Sequence, residues 1–225
     1  MHGTNESGFA YGFWTTVAFS VLITLFLVFS FVKPKNKFEW RSMGVFIGFI
    51  VALFTEMYGI PLTVYFLSGW LGNAYPVTDP FSHASGHLLL VFLGLSHNTW
   101  AMIVLHVLTN AIIFLGFYIV YKGWQQIHAA GKDELVTDGI YRFIRHPQYV
   151  GMWLVTVGFL VQWPTLITLF MWPILMILYH RLSVREEKVL RGKFGKEFEQ
   201  YKSKVPAYFP RLSNNKLLEN KYNEK

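Results

Sequence analysis

The chain contains no cysteine among its 225 residues. Disulfide bonds, thiolate metal sites and cysteine nucleophiles are therefore excluded. Charged residues are scarce at 15%, whereas hydrophobic residues make up 53% and aromatic residues 18% of the chain. No Gly-x-Gly-x-x-Gly pattern occurs, which disfavours a soluble Rossmann-type enzyme. This composition, rich in hydrophobic and aromatic residues and poor in charge, is typical of a protein that lies within a membrane.

Three long runs are nearly free of charge, and roughly 18 apolar residues are enough to cross the hydrocarbon core of a bilayer. Ala10–Val32 and Thr99–Tyr121 hold no charged residue, and Ser42–Leu67 holds only Glu56. The first eight residues lack the Lys and Arg of a signal peptide, so we expect Ala10–Val32 to remain as a span. Backbone amides must be paired within lipid, so the spans are predicted to be helices.

Basic residues predict the topology. All 20 Lys and Arg fall in three blocks, Lys33–Arg41, Lys122–Arg145 and Arg181–Lys225. The positive-inside rule places all three blocks in the cytoplasm, with the N-terminus outside and the C-terminus inside. Basic blocks next to spans suit membrane lipid and give no reason to expect nucleic acid binding.

The apolar segment Tyr149–His180 separates the second block from the third, so it must turn back, and Pro164 is the natural turn. We therefore predict an all-α polytopic membrane protein with about five transmembrane helices and a C-terminal helical hairpin. A cytoplasmic amphipathic helix should follow, because apolar residues recur at helical spacing: Leu190, Phe194, Phe198, Tyr201 and Val205.

The chain is expected to be one membrane domain, 1–225. Within it, 1–121 holds the N-terminal spans, 122–211 holds the functional content, and 212–225 is predicted to be a disordered tail.

Arg145-His146-Pro147 is the most informative short motif. Proline suits the first turn of a helix, where the amides have no partner within the helix and the helix dipole favours an anion. Arg145 and His146 add positive charge, so the motif can form an anion receptor at the membrane surface. The alternative is that these residues are simple interface anchors.

A second motif, Arg185-Glu186-Glu187, follows the last span on the same side of the membrane. Its carboxylates can hold an ammonium group, and the alternative is a solvated helix face. Taken together, the two motifs can receive a zwitterion, and the methionine part of S-adenosylmethionine is one.

These motifs, followed by Phe194-Gly195-x-x-Phe198-x-x-Tyr201 and Val205-Pro206, resemble the isoprenylcysteine carboxyl methyltransferase family, whose pattern is shared by membrane phospholipid and thiol methyltransferases. The resemblance covers residues 122–211. It implies a membrane methyltransferase that uses S-adenosylmethionine on a lipophilic or lipidated substrate, with Arg145 and Glu186 as the catalytic candidates. The implied cofactor pocket comprises Gln126, Asp133, Glu134, Leu135, Val136, Tyr141, His146, Pro147, Gln148, Tyr149 and Glu186.

Two positions depart from the family pattern. Asp133 stands where a histidine is frequent, and Leu182 stands where prenylcysteine-type enzymes place an arginine that holds the substrate carboxylate. Arg181 and Arg185 flank Leu182 and are the substrate candidates. The substrate class therefore stays open between an isoprenylcysteine-type carboxylate, a phospholipid amine and a thiol.

Two other functions are compatible with the sequence. A membrane NADPH-dependent reductase of the sterol-reductase type has a related C-terminal half, although NADPH requires more basic residues than this pocket offers. The other is a non-catalytic membrane protein that has kept the outline of the pocket.

Glu56 is a functional candidate because a carboxyl within a span is costly. It can contact the substrate or pair with His106 or Asn110. His83 and His87 are four residues apart and resemble a single histidine box, but membrane di-iron enzymes need several, so no metal is expected.

Overall fold

The computed structural model describes residues 11–75, 83–131 and 133–210. The predicted tail, 212–225, lies outside the described residues. Within them the fold is all-α, as predicted, and contains no strand. Its α-helices are α1 (Trp14–Phe31), α2 (Lys37–Phe54), α3 (Leu62–Ala74), α4 (Leu88–Phe92), α5 (Thr99–Ala129), α6 (Pro147–Gln162), α7 (Leu166–Phe194) and α8 (Lys196–Lys204).

Four of the described helical segments are long and apolar enough to cross a membrane: Trp14–Phe31, Lys37–Gly59, Thr99–Ala129 and Leu166–Phe194. The 16-residue helix α6 is a fifth, shorter arm. Large apolar side chains stay exposed on these segments; Phe26, Phe114 and Phe170, for example, are 70–72% exposed. Such a surface suits hydrocarbon, and the chain is an integral membrane protein.

The prediction of one span over Ser42–Leu67 is wrong in its bounds. Helix α2 begins earlier, at Lys37, and continues through a π-helical turn, Thr55–Gly59, before the chain breaks and α3 starts at Leu62. The break falls at Ile60-Pro61 because proline has no amide hydrogen and disfavours helical geometry in the residue before it.

Helices α6 and α7 form the predicted hairpin. The chain turns through residues 163–165, which include Pro164, and a reciprocal capping box between Thr165 and Thr168 starts α7. We call residues 162–166 the hairpin tip, and the opposite end, residues 145–149 with 179–187, the hairpin base.

The hairpin packs closely on α5 through glycines. A Cβ atom added at Gly116 of α5 would lie 2.6 Å from the carbonyl oxygen of Gly151 in α6, and the reverse distance is also 2.6 Å. Gly123 and Gly158 repeat this small-residue contact one heptad away on each helix. Small residues let helix backbones approach within lipid, so these glycines fix α6 against α5.

Beyond the hairpin base, α7 runs on to Phe194, as predicted. Gly195 then takes φ +50° and turns the chain into α8. The predicted apolar stripe is therefore divided between two helices. Its members still pack together, with Phe198, Tyr201 and Val205 buried against Leu135.

Candidate functional site

The hairpin base holds a cluster of charged and hydrogen-bonding side chains that we call the polar centre: Arg145, His146, Tyr149, Glu186 and Glu187. The first three come from the start of α6 and the two carboxylates from the extension of α7. The structure thus brings together the two motifs that the sequence singled out, although 36 residues separate Tyr149 from Arg185 along the chain.

Glu187 is fully engaged within the protein. Its Oε1 accepts hydrogen bonds from Arg145 Nη2 at 2.8 Å and from His146 Nε2 at 3.1 Å, and its Oε2 accepts from Lys202 Nζ at 2.6 Å. Its side chain is only 13% exposed. Three donors and this burial leave Glu187 little capacity for a ligand, so we infer that it positions the surrounding groups.

Arg145 holds the C-terminal segment in place. Its Nη1 donates to the carbonyls of Lys202 and Val205, and its backbone amide donates to the carbonyl of Pro206 at 2.9 Å. The amide of His146 donates in the same way to Ala207 at 3.0 Å. Residues 205–207 therefore form a strap across the start of α6. These contacts favour a structural role for Arg145; its catalytic role stays a prediction.

Glu186 is the carboxylate that remains available. Its side chain is 46% exposed, and its Oε1 accepts a 2.6 Å hydrogen bond from the hydroxyl of Tyr149. Its Oε2 lies 3.6 Å from His146 Nδ1. Two adjacent glutamates thus have different environments: Glu187 lies within the protein and Glu186 opens outward.

His146 lies between the two carboxylates and is buried. Burial alone disfavours the charged imidazole, but hydrogen bonds to Glu186 and Glu187 and their negative charges outweigh it. The net effect raises the pKa of His146 above its ordinary value. A larger fraction of imidazolium at neutral pH follows, and it adds positive charge to the polar centre.

The first turn of α6 offers two amides. Among the described residues, the backbone N–H groups of Gln148 and Tyr149 have no hydrogen-bond partner, and no side chain caps the helix at His146. Pro147 occupies the first helical position, as predicted. Helix amides and the dipole behind them attract carboxylates, so this turn can take an anion beside Glu186.

Gln126, near the end of α5, positions the loop that leads into the polar centre. Its side-chain oxygen accepts a hydrogen bond from the amide of Ile140 at 3.2 Å. Its Nε2 would lie 1.5 Å from a Cβ atom at Gly139, which also adopts φ +58°. The positive φ favours glycine at position 139, and the end of the Gln126 side chain would have to move to admit a larger residue.

Tyr141 follows in the same loop and is buried. Its hydroxyl donates to the carbonyl of Gly123, and its own carbonyl accepts a 2.7 Å hydrogen bond from the hydroxyl of Tyr201. Burial, and next the nearby charge of Glu186, raise the pKa of Tyr141. The loop therefore lies close to the open carboxylate.

The run from Asp133 to Val136 lies beside α8. Leu135 is buried against Phe198 and Tyr201, whereas Asp133 and Glu134 are exposed. Asp133 forms a surface ion pair with Lys193 at 3.0 Å. The polar side chains thus stay open to a ligand, and a contact with the adenosine end of a cofactor stays a prediction.

The sequence reasoning missed two contributors, Lys202 and Tyr208. Tyr208 lies at the strap, with its ring 4.7 Å from that of Trp153 and 5.7 Å from that of His146, and its hydroxyl contacts Ser183. An aromatic residue between Pro206 and Pro210 was the available signal. Lys202 had none, because it is one of many lysines in a basic segment.

Aromatic rings surround the polar centre and pack on one another. The rings of Tyr149 and Tyr179 stack with centroids 5.6 Å apart. The hydroxyl of Tyr179 and the indole N–H of Trp153 are buried and have no hydrogen-bond partner among the described residues. These rings therefore pack on one another, and the hydroxyl of Tyr179 and the indole N–H of Trp153 are donors that a polar substrate group can meet.

Leu182 is buried, and at four residues before Glu186 it shares that side of α7. Arg181 and Arg185 are exposed and lie on another side of the helix. Leucine therefore occupies position 182, and neither Arg181 nor Arg185 substitutes for an arginine on the side of α7 that carries Glu186. A role for Arg181 and Arg185 in substrate binding stays a prediction.

Glu56 lies at the hairpin tip. It is 2% exposed, and its Oε2 accepts a 2.9 Å hydrogen bond from the amide of Thr63 at the start of α3. The hydroxyl of Thr63 in turn accepts from the amide of Leu166. Glu56 thus joins α3 to the hairpin and pairs with neither His106 nor Asn110. A substrate contact for Glu56 stays a prediction.

The histidine pair also lies near the tip. The rings of His83 and His87 meet edge to face at 5.9 Å, and His87 Nδ1 donates to the carbonyl of Gln162 at 2.8 Å. Trp163 packs against both rings. Within the described part of the chain, no group of three metal-binding side chains converges.

Comparisons with known proteins agree with this geometry. Residues 87–197 match the family model of the phospholipid methyltransferases. The match confirms the resemblance to the membrane methyltransferases. The matched segment contains all five residues of the polar centre.

Three relatives illustrate the similarity. The protein-S-isoprenylcysteine O-methyltransferase of Schizosaccharomyces pombe is 38% identical over 81 residues, 35% of this chain and 34% of that protein. A probable enzyme of the same name from Oryza sativa subsp. indica is 35% identical over 86 residues, 38% and 45% of the two chains. The nickel-cobalt-cadmium resistance protein NccN of Alcaligenes xylosoxydans xylosoxydans is 28% identical over 130 residues, 56% and 61%. The match therefore spans about a third to three fifths of these relatives.

Proposed function

We propose that this chain is an integral membrane methyltransferase that transfers a methyl group from S-adenosylmethionine to a lipophilic or membrane-associated substrate. The observation that carries the proposal is that the exposed carboxylate of Glu186 accepts a hydrogen bond from the Tyr149 side chain, in a helix turn where the amides of Gln148 and Tyr149 have no partner among the described residues. An ammonium group and a carboxylate of one amino acid can bind these two features together. The family match over residues 87–197 supports the same reading.

The residues present fit the cofactor. Glu186 can hold the ammonium group, and the first turn of α6 can hold the carboxylate with help from His146, whose raised pKa favours a positive charge. The loop of Gln126, Gly139 and Tyr141 then borders the remaining part of the molecule. Glu187 and Arg145 keep these groups in place, and a catalytic role of Arg145 stays a prediction.

The sulfonium of S-adenosylmethionine supplies an already activated methyl group, so transfer is an in-line displacement. The protein mainly has to orient the two reactants and exclude water. The strap at 205–207 and the ring of Tyr208 cover the start of α6 from the aqueous side. The stacked rings of Tyr149 and Tyr179 border the same region and can stabilise a cation.

The proposed substrate carries one of three nucleophiles: an isoprenylcysteine-type carboxylate, a phospholipid amine or a thiol. Relatives named for the first kind favour a lipidated substrate. The buried leucine at position 182 weighs against a carboxylate, because it stands where prenylcysteine-type enzymes place the arginine that holds one. The comparison of the three nucleophiles in one assay decides between them.

The first experiment is calorimetry on detergent-purified protein, titrated in parallel with S-adenosylhomocysteine and NADPH. Saturable binding of S-adenosylhomocysteine alone is the expected result. Transfer of labelled methyl groups to the three nucleophile classes follows. Binding of NADPH alone, or of neither ligand by protein that melts cooperatively, would overturn the proposal.

We also propose that the hairpin base faces the cytoplasm and the N-terminus lies outside. All three basic blocks contribute to this end, since Arg185 stacks on Phe38 at 3.7 Å and Arg145 pairs with Glu187. The positive-inside rule then sets the orientation. In this cysteine-free chain, an impermeant maleimide applied to intact cells should label His97→Cys and spare Ser203→Cys; the opposite pattern refutes the orientation.

A further inference from the structure

A groove opens on the outward side of the hairpin base. It has a volume of about 440 Å³ and lies between the start of α2 and the extension of α7. Phe38 contributes from α2, and the remaining lining residues come from α7: His180, Arg181, Val184, Arg185 and Lys188. Two arginines, one lysine and one histidine make this a strongly basic concavity.

The cations of the groove, Arg181, Arg185 and Lys188, form no ion pair within the described part of the chain. Glu39, in the first turn of α2, is already bound by the amide of Lys35 and the side chain of Asn36. Three exposed cations within two helical turns repel one another, so an external anion between them is favourable.

The same side of α7 changes from apolar to basic along its length. Positions 170, 174, 177, 181, 185 and 188 follow the three- and four-residue spacing of one helix face. Phe170 is 72% exposed, Ile174 38% and Ile177 54%, and the next residues of this face are Arg181, Arg185 and Lys188. Acyl chains suit the first half of this strip, and a negatively charged headgroup suits the second.

The cations of the groove lie on a different face of α7 from the polar centre, and only His180 of the described groove lining connects to it, through a 3.1 Å hydrogen bond with Tyr208. At about 100° per residue, Arg181 and Lys188 project from nearly the opposite side of α7 to Tyr179 and Ser183, which are buried. Glu186 lies close in angle to Tyr179 around the helix, although its own side chain is 46% exposed. A ligand in the groove therefore touches a different helix face from the one that borders the cofactor.

We propose that this groove binds the phosphate headgroup of an anionic phospholipid, with the acyl chains along the apolar face of α7. The guanidinium groups of Arg181 and Arg185 bind the phosphate, and Lys188 adds charge toward the aqueous side. The bound lipid is a fixed component of the protein surface and undergoes no reaction there. This site does not depend on the proposed methyl transfer.

Native mass spectrometry of the detergent-purified, cofactor-free protein tests the site. Dioleoylphosphatidylglycerol is titrated against dioleoylphosphatidylcholine, with inorganic phosphate as a soluble competitor. We expect one phosphatidylglycerol to be retained at least tenfold more strongly than phosphatidylcholine, and millimolar phosphate to leave it in place. Arg181→Gln/Arg185→Gln should abolish this preference. Arg181→Gln/Lys188→Gln, which keeps the stack on Phe38, should reduce it at least threefold.

The matched control is Lys196→Gln/Lys204→Gln, which removes the same charge from exposed positions of α8. It should leave the preference for phosphatidylglycerol unchanged. Equal retention of both lipids by the wild-type protein, an equal loss in the control, or displacement by inorganic phosphate would each overturn the proposal. Because no cofactor or methyl transfer enters the assay, its failure is distinct from a failure of the proposed function.

Discussion

The two ends of the α6–α7 hairpin both bury polar side chains, but the exposure and the hydrogen-bond partners of their carboxylates differ. At the tip, Glu56 is 2% exposed and serves the amide of Thr63. At the base, Glu187 is similarly engaged, yet the adjacent Glu186 is 46% exposed and bonds to Tyr149, in a helix turn whose amides at Gln148 and Tyr149 have no partner within the described part of the chain. Burial of a carboxyl therefore does not distinguish the two ends; the exposure of Glu186 does, and we propose that it marks the binding site.

The difference follows from what each end must satisfy. The tip joins α3 to the turn of the hairpin, so its polar groups pair with backbone groups that would otherwise be orphaned. The base engages one carboxylate, Glu187, with Arg145 and Lys202 and leaves the other, Glu186, exposed, where we propose that it binds a ligand. Three experiments test this difference between the two ends.

The largest effect is expected at Glu187. Glu187→Gln leaves the charges of Arg145 and Lys202 without their carboxylate in a mostly buried place, which should lower the free energy of unfolding by about 3 kcal/mol. Thermal melting followed by circular dichroism measures it. The exposed Glu197→Gln is the control and should melt like the wild type. A wild-type melting curve for Glu187→Gln would remove Glu187 from its structural role.

Glu186 and Glu56 should respond in opposite ways. Glu186→Gln removes the ammonium partner, so the Kd for S-adenosylhomocysteine should rise about 100-fold while the melting temperature holds, since hydrogen bonds to charged groups contribute about 1.5–3 kcal/mol. Glu56→Ala leaves the amide of Thr63 unpaired and should cost about 2 kcal/mol of stability without changing Kd. Calorimetry and melting on both variants measure this. If Glu56→Ala raised the Kd and Glu186→Gln lowered the stability instead, the tip and not the base would hold the binding site.

The smallest effect concerns pH. The pKa of His146 at the base is raised, so its contribution to stability is complete below pH 6.5 and is lost as pH rises through the higher folded value. Near the tip, burial lowers the pKa of His87 to about 4, so protonation destabilises the fold as pH falls from 6.5 toward 4. Melting temperatures from pH 4 to 9 should decline at both ends of this range. His146→Gln should flatten only the alkaline decline and His87→Gln only the acid one; unaltered declines in both variants would contradict the assignment.

Much of the architecture was predictable because it depends on local composition. Uncharged runs gave the spans, and Pro164 gave the turn of the hairpin. Pro61 carried equally clear information about the end of the second span, but hydrophobicity continues past it to Leu67 and hid the break. A pattern of apolar residues is therefore a poorer guide to where a helix ends than the position of a proline.

The residues of the polar centre were predictable, but the different roles of Glu186 and Glu187 were not. Glu186 and Glu187 look alike in the sequence, and only the positions of Arg145 and Lys202 decide which one is engaged. Arg145 looked like an anion-binding residue because its partners lie about 40–60 residues away along the chain. Long-range pairing of this kind depends on the packing of α7 and α8, which no local pattern encodes.

The strap at 205–207 has a consequence for the synthesis of the protein. The amides of Arg145 and His146 donate to the carbonyls of Pro206 and Ala207. Both of these acceptor residues leave the ribosome after every helix described here. A chain stopped after Lys204 would insert all of its spans and still lack the cover of the polar centre. The site is thus completed last, so a prematurely terminated copy should lodge in the membrane without acquiring a competent cofactor pocket, which pull-down of truncated chains on immobilised S-adenosylhomocysteine can verify.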